Sequence, residues 1–222
     1  MKNEYDKVVH TLLCLGMCLI WFSVTLLLKT SASYPVLIEN GMLMPVLCAL
    51  EFCILVPLYV WYTRHYQAIP PGKLRGRQLL LFGLLLLGLI VLQSLYMEQE
   101  SWTRSQLGQG EAWRRMLMFS LAVVLLAPFF EEIIFRGFFL ESLLIWAPEQ
   151  RFACALLTSV AFAAMHTQYT HPQTLIALIA LSLLLCYARM KSGGLKLPIV
   201  LHMLNNFLGV APALWLSWQH QA

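Results

Sequence analysis

Met116-Leu-Met-Phe-Ser-Leu-Ala-Val-Val-Leu-Leu-Ala-Pro-Phe-Phe-Glu-Glu-Ile-Ile-Phe-Arg-Gly-Phe-Phe-Leu-Glu-Ser-Leu-Leu-Ile-Trp-Ala147 is long and apolar, yet it carries Glu131, Glu132, Arg136 and Glu141 in its second half. A helix that crosses a bilayer needs about 20 mostly apolar residues. A charge at the centre of such a helix costs on the order of 2.5 to 3.5 kcal/mol. A chain that bears this cost repeatedly in one segment has a use for those side chains.

The rest of the chain agrees with a membrane setting. Of its 222 residues, 59% are hydrophobic and 12% are charged, whereas soluble chains run near 45 to 50% apolar and about 25% charged. Further apolar runs lie at 8–28, 42–62, 79–97, 152–166, 174–188 and 197–218. With the 116–147 stretch they make seven spans, or eight if that stretch divides. Backbone groups in lipid must be satisfied internally, which leaves helices or closed barrels. Unbroken apolar runs without two-residue alternation select helices, so the expected fold is an all-α, polytopic membrane helix bundle. Residues 1–115 read as about three N-terminal spans and 116–222 as a helix core that carries the intramembrane charges. So many spans in so short a chain leave no room for a soluble enzyme domain, so any chemistry must be built from the spans.

With the N-terminus in the cytoplasm, eleven of the 15 Lys and Arg residues fall on the inner side. Lys29, Arg104, Arg114 and Arg115 fall outside. The positive-inside bias therefore favours an inner N-terminus. The net charge of +4 gives no support to nucleic acid as a partner, and the lipid bilayer is the expected one. The first apolar run is too long for the apolar region of a cleaved signal peptide. All six cysteines lie in apolar stretches without a CxxC pair and read as buried thiols. Trp21, Trp61, Trp102, Trp146, Trp215 and Trp218 read as interfacial aromatics. His10, His65, His171, His220 and Glu141 read as loop, interface or solvated positions. Glu51, lying between Pro45 and Pro57, reads as a structural acid or a cavity-lining one.

Within Pro128-Phe-Phe-Glu-Glu-Ile-Ile-Phe-Arg-Gly137, spacing by four puts Glu132 and Arg136 on one face as an ion pair. Glu131 is turned about 100° away, so one carboxylate is neutralised and its neighbour stays free. His166 ends the fifth apolar run, in Phe162-Ala-Ala-Met-His166. His202 and Asn206 share a face early in the last. Glu131 lies as far before Pro148 as His166 lies after it, to within one residue, so an antiparallel hairpin sets them at similar depth. Bringing His202 to the same level requires tilt, a shallow sixth helix or a cavity that enters the membrane. Taken singly, each histidine reads as a packing residue and the ion pair as a structural brace. Their coincidence points to a site.

These three elements are EExxxR at Glu131, Glu132 and Arg136, FxxxH at Phe162 and His166, and HxxxN at His202 and Asn206. In this order, and with Gly193-Gly194-Leu-Lys-Leu-Pro-Ile-Val200 leading into His202, they resemble the CPBP family of intramembrane proteases. That family includes CAAX-type prenyl endopeptidases and bacterial Abi or bacteriocin-immunity proteins. The resemblance covers about residues 116–218. It implies an intramembrane endopeptidase of glutamic type, in which Glu131, helped by His166, activates a water. His202 and Asn206 would donate to the oxyanion, and Glu132 and Arg136 would brace the site. No cofactor is implied, and two histidines with a glutamate leave zinc as the alternative, although HExxH is absent. The single aspartate, Asp6, excludes a two-aspartate mechanism, and no GxS motif is present for a serine nucleophile.

The expected substrate is a membrane-anchored protein or peptide precursor. A prenylated C-terminus is the least favoured, because a chain this compact looks bacterial and belongs in a plasma membrane. The contrasting reading is a non-catalytic immunity, scaffold or transporter-like protein that keeps the polar cluster for binding.

Overall fold

A computed structural model describes residues 4–66, 69–98, 100–106 and 113–219. Lys2 and His220 lie outside them. Among the described residues there are nine helices and no strand: α1 (Glu4–Thr30), α2 (Tyr34–Glu39), α3 (Leu43–His65), α4 (Gly76–Ser94), α5 (Ser101–Gln106), α6 (Trp113–Trp146), α7 (Arg151–Met165), α8 (Pro172–Ser192) and α9 (Lys196–Gln219). Six of them, α1, α3, α4, α6, α8 and α9, are long and apolar enough to cross a membrane, so the protein is an integral membrane helix bundle. The fifth apolar run forms α7, whose 15 residues rise about 22 Å, short of a hydrocarbon layer of about 30 Å. The 116–147 stretch does not divide. It is one helix of 34 residues, about 51 Å long, so it must tilt to fit a bilayer.

The path of α6 is set by two wide π-helical segments, Ala122–Leu126 and Ile133–Phe139, on either side of the turn that carries both glutamates. The first has a local cause. Pro128 has no N–H and its ring crowds the carbonyl four residues before it. The preceding backbone widens, and the Ala127 N–H bonds the Ala122 carbonyl.

Large apolar side chains of α6, including Phe130, Ile134, Phe135 and Phe138, pack against Cys14 and Met17 of α1, Cys48, Leu55 and Tyr62 of α3, and Phe162 of α7. A second cluster joins Phe82 and Leu86 of α4 to Leu181 and Leu185 of α8 and to Leu197 and Leu201 of α9. Leucines that a soluble protein would hide, such as Leu19, Leu27 and Leu80, face outward, as they should where the surroundings are lipid.

Several polar and aromatic residues stand differently from the sequence expectation. His10 is buried and meets the Tyr62 hydroxyl. Glu141 pairs with Arg189 across α6 and α8. Trp21 stands edge-on to Phe135 inside the bundle. Cys53 is exposed and Cys18 half-buried, whereas the other four thiols are buried. Glu51 is buried and accepts the Thr25 hydroxyl at 3.0 Å, and it does not line the cavity described below.

The turn between α8 and α9 is pinned from below the site. Gly193 adopts a left-handed conformation (φ 70°) that ends α8. The N–H groups of Leu195 and Lys196 donate to the carbonyls of Pro70 (3.3 Å) and Pro71 (2.8 Å). Gly72 and Gly194 come together so closely that a Cβ on Gly194 would strike the Gly72 nitrogen and the Pro70 oxygen.

Candidate active site

Glu131 and Glu132 leave α6 in different directions, as the turn of about 100° per residue requires. Glu132 is fully buried behind the site, and its Oε1 accepts Arg136 Nη1 at 2.8 Å. Arg136, equally buried, also donates through Nη2 to the Ser182 hydroxyl (2.7 Å) and carbonyl (3.2 Å) on α8. Its guanidinium carbon lies 4.7 Å from the centroid of the Phe162 ring, a cation–π contact in a dry setting. Arg136 thus belongs to the bundle interior, not to a loop, and drops out of any count of inner and outer charges.

The same Glu132 oxygen accepts His202 Nδ1 at 2.8 Å. A carboxylate can only accept, so the proton is on Nδ1 and Nε2 is turned the other way, 3.7 Å from Glu131 Oε2. One oxygen therefore orients the imidazole and neutralises the guanidinium. This oxygen sets which nitrogen of His202 faces Glu131, as a hydrogen bond at one ring nitrogen fixes the tautomer at the other.

Glu131 lines a cavity of about 530 Å³ together with His166, His202 and Asn206. Its Oε2 accepts no hydrogen bond from any described residue. His166, at the C-terminal end of α7, donates through Nδ1 to the Phe162 carbonyl at 2.7 Å, which leaves Nε2 as its acceptor. The Phe162 ring packs at 4.5 Å from His166 and 6.0 Å from His202, between centroids. The phenylalanine of FxxxH is thus a wedge that spaces two histidines and faces an arginine. Glu131 and His166 share the cavity wall without a direct bond to each other.

Asn206 Nδ2 donates to the Val123 carbonyl at 2.8 Å. The wide turn explains why that carbonyl is available: Ala127 has given its N–H to Ala122, and the next residue, Pro128, has none to give. The second N–H of Asn206 remains for other partners, and its Oδ1 accepts Asn205 Nδ2 at 3.2 Å.

All six sequence-derived candidates gather here. Glu131, His166, His202 and Asn206 are on the cavity, and Glu132 and Arg136 are behind it. Sequence reasoning missed Ser182, a hydroxyl in the middle of the apolar run of α8 that could have been flagged as polar in oil. It also missed the role of the Phe162 ring. Glu100 was missed as well. It comes from the segment before α5, lines the cavity, and accepts the N–H groups of Thr170 (3.2 Å) and His171 (2.9 Å) in the loop that follows His166.

Among the described residues no three His, Cys, Asp or Glu side chains are grouped to hold a metal ion. His202 Nδ1 is already committed to Glu132 and His166 Nδ1 to a carbonyl. Bonding through Nδ1 leaves both Nε2 atoms free, as in metal-ligating histidines; what does not fit a three-ligand zinc site is the spacing of the side chains.

Comparison with known proteins points to the same region. An uncharacterized 24.3 kDa protein of Escherichia coli is 41% identical over 93 residues, 40% of this chain and 42% of that relative. The match thus covers about two fifths of the relative's length. No solved structure matches the chain. Residues 113–208, which contain EExxxR, FxxxH and HxxxN, match the family described as type II CAAX prenyl endopeptidase Rce1-like, and that resemblance is what the cavity's residues share.

Proposed function

We propose that the protein is an intramembrane endopeptidase that hydrolyses a peptide bond of a membrane-associated protein or peptide with an activated water and no metal. The observation that carries this reading is the convergence of an acid, two imidazoles and an amide from α6, α7 and α9 on one cavity. The Rce1-like match over those helices supports a protease.

Glu131 is the general base. It lines the cavity, and its carboxylate would take a proton from water as the water attacks the scissile carbonyl. His166 Nε2 accepts a hydrogen bond from the same water and orients it. The tetrahedral intermediate places a negative oxygen near α9, where the second N–H of Asn206 donates to it. His202, when protonated at Nε2, donates as well, and its imidazolium is held by Glu132. Such donors act most strongly where water is excluded, and losing one commonly costs about 100-fold to 1,000-fold in rate. Glu131, now protonated, delivers its proton to the leaving amine, which restores the carboxylate. Glu132 and Arg136 take no part in proton transfer and hold His202 in register.

Glu131→Gln and His166→Ala should each remove cleavage while the purified proteins keep the wild-type melting temperature, since both side chains face the cavity. Comparing membrane-protein termini in cells carrying wild type and Glu131→Gln tests this directly. A new terminus that depends on Glu131 is expected. Full cleavage by Glu131→Gln would remove the proposed base.

A further inference from the structure

Two ends of the bundle differ in charge and in what they open onto. At one end the loops are bound together. Leu195 and Lys196 bond the Pro70-Pro71 carbonyls, Gln78 Nε2 bonds the Lys191 carbonyl, and Lys7 lies over the Trp146 ring. Among the described residues, nine Lys and Arg sit at this end, including Arg64, Lys73, Arg75, Arg77 and Lys191. The other end carries Lys29, Arg104, Arg114 and Arg115. With Arg136 assigned to the interior, the asymmetry of nine to four among the described residues still places the first end in the cytoplasm.

The cavity belongs to the second end. From Glu131 and His202 it runs along α9 through Leu208 and Gly209 to Met97, Glu98, Thr103 and Gln168. Among the described residues, none from the lysine- and arginine-rich end lines it. Glu98 at its rim is 69% exposed, which makes that rim a water-facing entrance. The short α7 fits this direction. It starts at Arg151 at the cytoplasmic end and its 15 residues stop before the far face, so His166 and the polar loop after it lie at the floor of a funnel open to the outside.

We propose that the active-site cavity is filled from the extracytoplasmic side, so that the substrate is a polypeptide segment presented at the outer face of the membrane: a translocated chain, or the outer flank of a membrane-spanning protein. The proposal rests on the proteolytic reading for the word substrate and on nothing in it for the direction of access. Among the described residues, the cavity gives a peptide confined to the cytoplasm no path to Glu131.

Access can be measured without cleavage. Cys18 and Cys53, the two thiols not buried, are replaced by Ser, and single cysteines are placed at Gln168 and Thr103 (mouth), Leu208 (cavity wall) and Lys73 (opposite end). Intact spheroplasts are then treated with a membrane-impermeant maleimide, with a small charged methanethiosulfonate for Leu208. Labelling of the mouth and wall positions in intact spheroplasts is expected, with Lys73→Cys labelled only after permeabilisation. The reverse pattern overturns the proposal, as does mouth cysteines that stay unlabelled even after permeabilisation. A second measurement needs no cysteine. Alkaline phosphatase fused after Gln219, at the mouth end of α9, should be active, and green fluorescent protein fused there dark; the opposite pair of results overturns the orientation. A protein labelled as expected but indifferent to Glu131→Gln would sink the protease reading and leave the direction of access intact.

Discussion

His202 Nδ1 and Arg136 Nη1 both donate to Glu132 Oε1, each at 2.8 Å, so a single buried oxygen ties α9 to α6 and, through Arg136 and Ser182, to α8. Arg136→Ala would strand that carboxylate in the bundle. A stability loss of about 3 to 5 kcal/mol is expected for such a broken buried pair, read as a lower melting temperature in detergent, together with loss of cleavage. Replacing both partners with methionine removes the stranded charge and should recover much of the stability. Activity should stay absent, because His202 has then lost the acceptor that orients it. An unchanged melting curve for Arg136→Ala would count against the brace.

Metal dependence follows from the same geometry. With no three ligand side chains grouped among the described residues, purified protein dialysed against a strong chelator should keep its cleavage activity, and elemental analysis should find no stoichiometric zinc. Activity lost on chelation and restored by zinc would overturn the water-activation scheme given above.

Gly194 is tested by adding one methyl group. A Cβ there meets the Gly72 and Pro70 backbone, not a flexible side chain that could give way. Gly194→Ala must separate the α8–α9 turn from the loop before α4, and strain of this kind typically costs about 1 to 3 kcal/mol. Because α9 carries His202 six residues after this turn begins it, a drop in activity should accompany the lower melting temperature. Gly193→Ala should also destabilise, through its φ of 70°, but with open space around the new methyl group.

The helices and the order of the polar motifs were legible because lipid makes the code simple: long apolar runs span, and charges within them stand out. The directions of Glu131 and Glu132 were legible too, since they follow from one residue's rotation. The wide turns of α6 were not, because periodicity arguments assume 3.6 residues per turn and a π segment breaks that count. The Asn206–Val123 bond was hidden with them, as its acceptor exists only once the turn has widened. Cysteine burial was over-read at Cys53, where an apolar neighbourhood in sequence is an outward, lipid-facing one in space. Glu100 was invisible for another reason. It sits in a short polar stretch without periodicity, and its partners lie 70 and 71 residues away.

Glu100 also gives the protein an acid-sensitive clasp. Burial alone would raise its carboxyl. The nearby Thr174 hydroxyl, hydrogen bonds from the His171 and Thr170 N–H groups, and the imidazole of His171 outweigh burial and hold it down to about 2 from an ordinary value of 4.5. A group with a lowered folded value contributes stability that is fully present above the ordinary value and is lost as pH falls through the folded one. The clasp should therefore hold at neutral pH and weaken between about pH 4.5 and 2. Glu100→Gln, which cannot ionise, should melt lower than wild type at pH 7, and the gap should narrow as the pH is taken down through that window. Because the clasp holds the loop that follows His166, the variant should also lose activity at neutral pH while Glu131 and His202 are untouched. Parallel melting temperatures for the two proteins across the whole acid range would show that the Glu100 charge does not hold this loop.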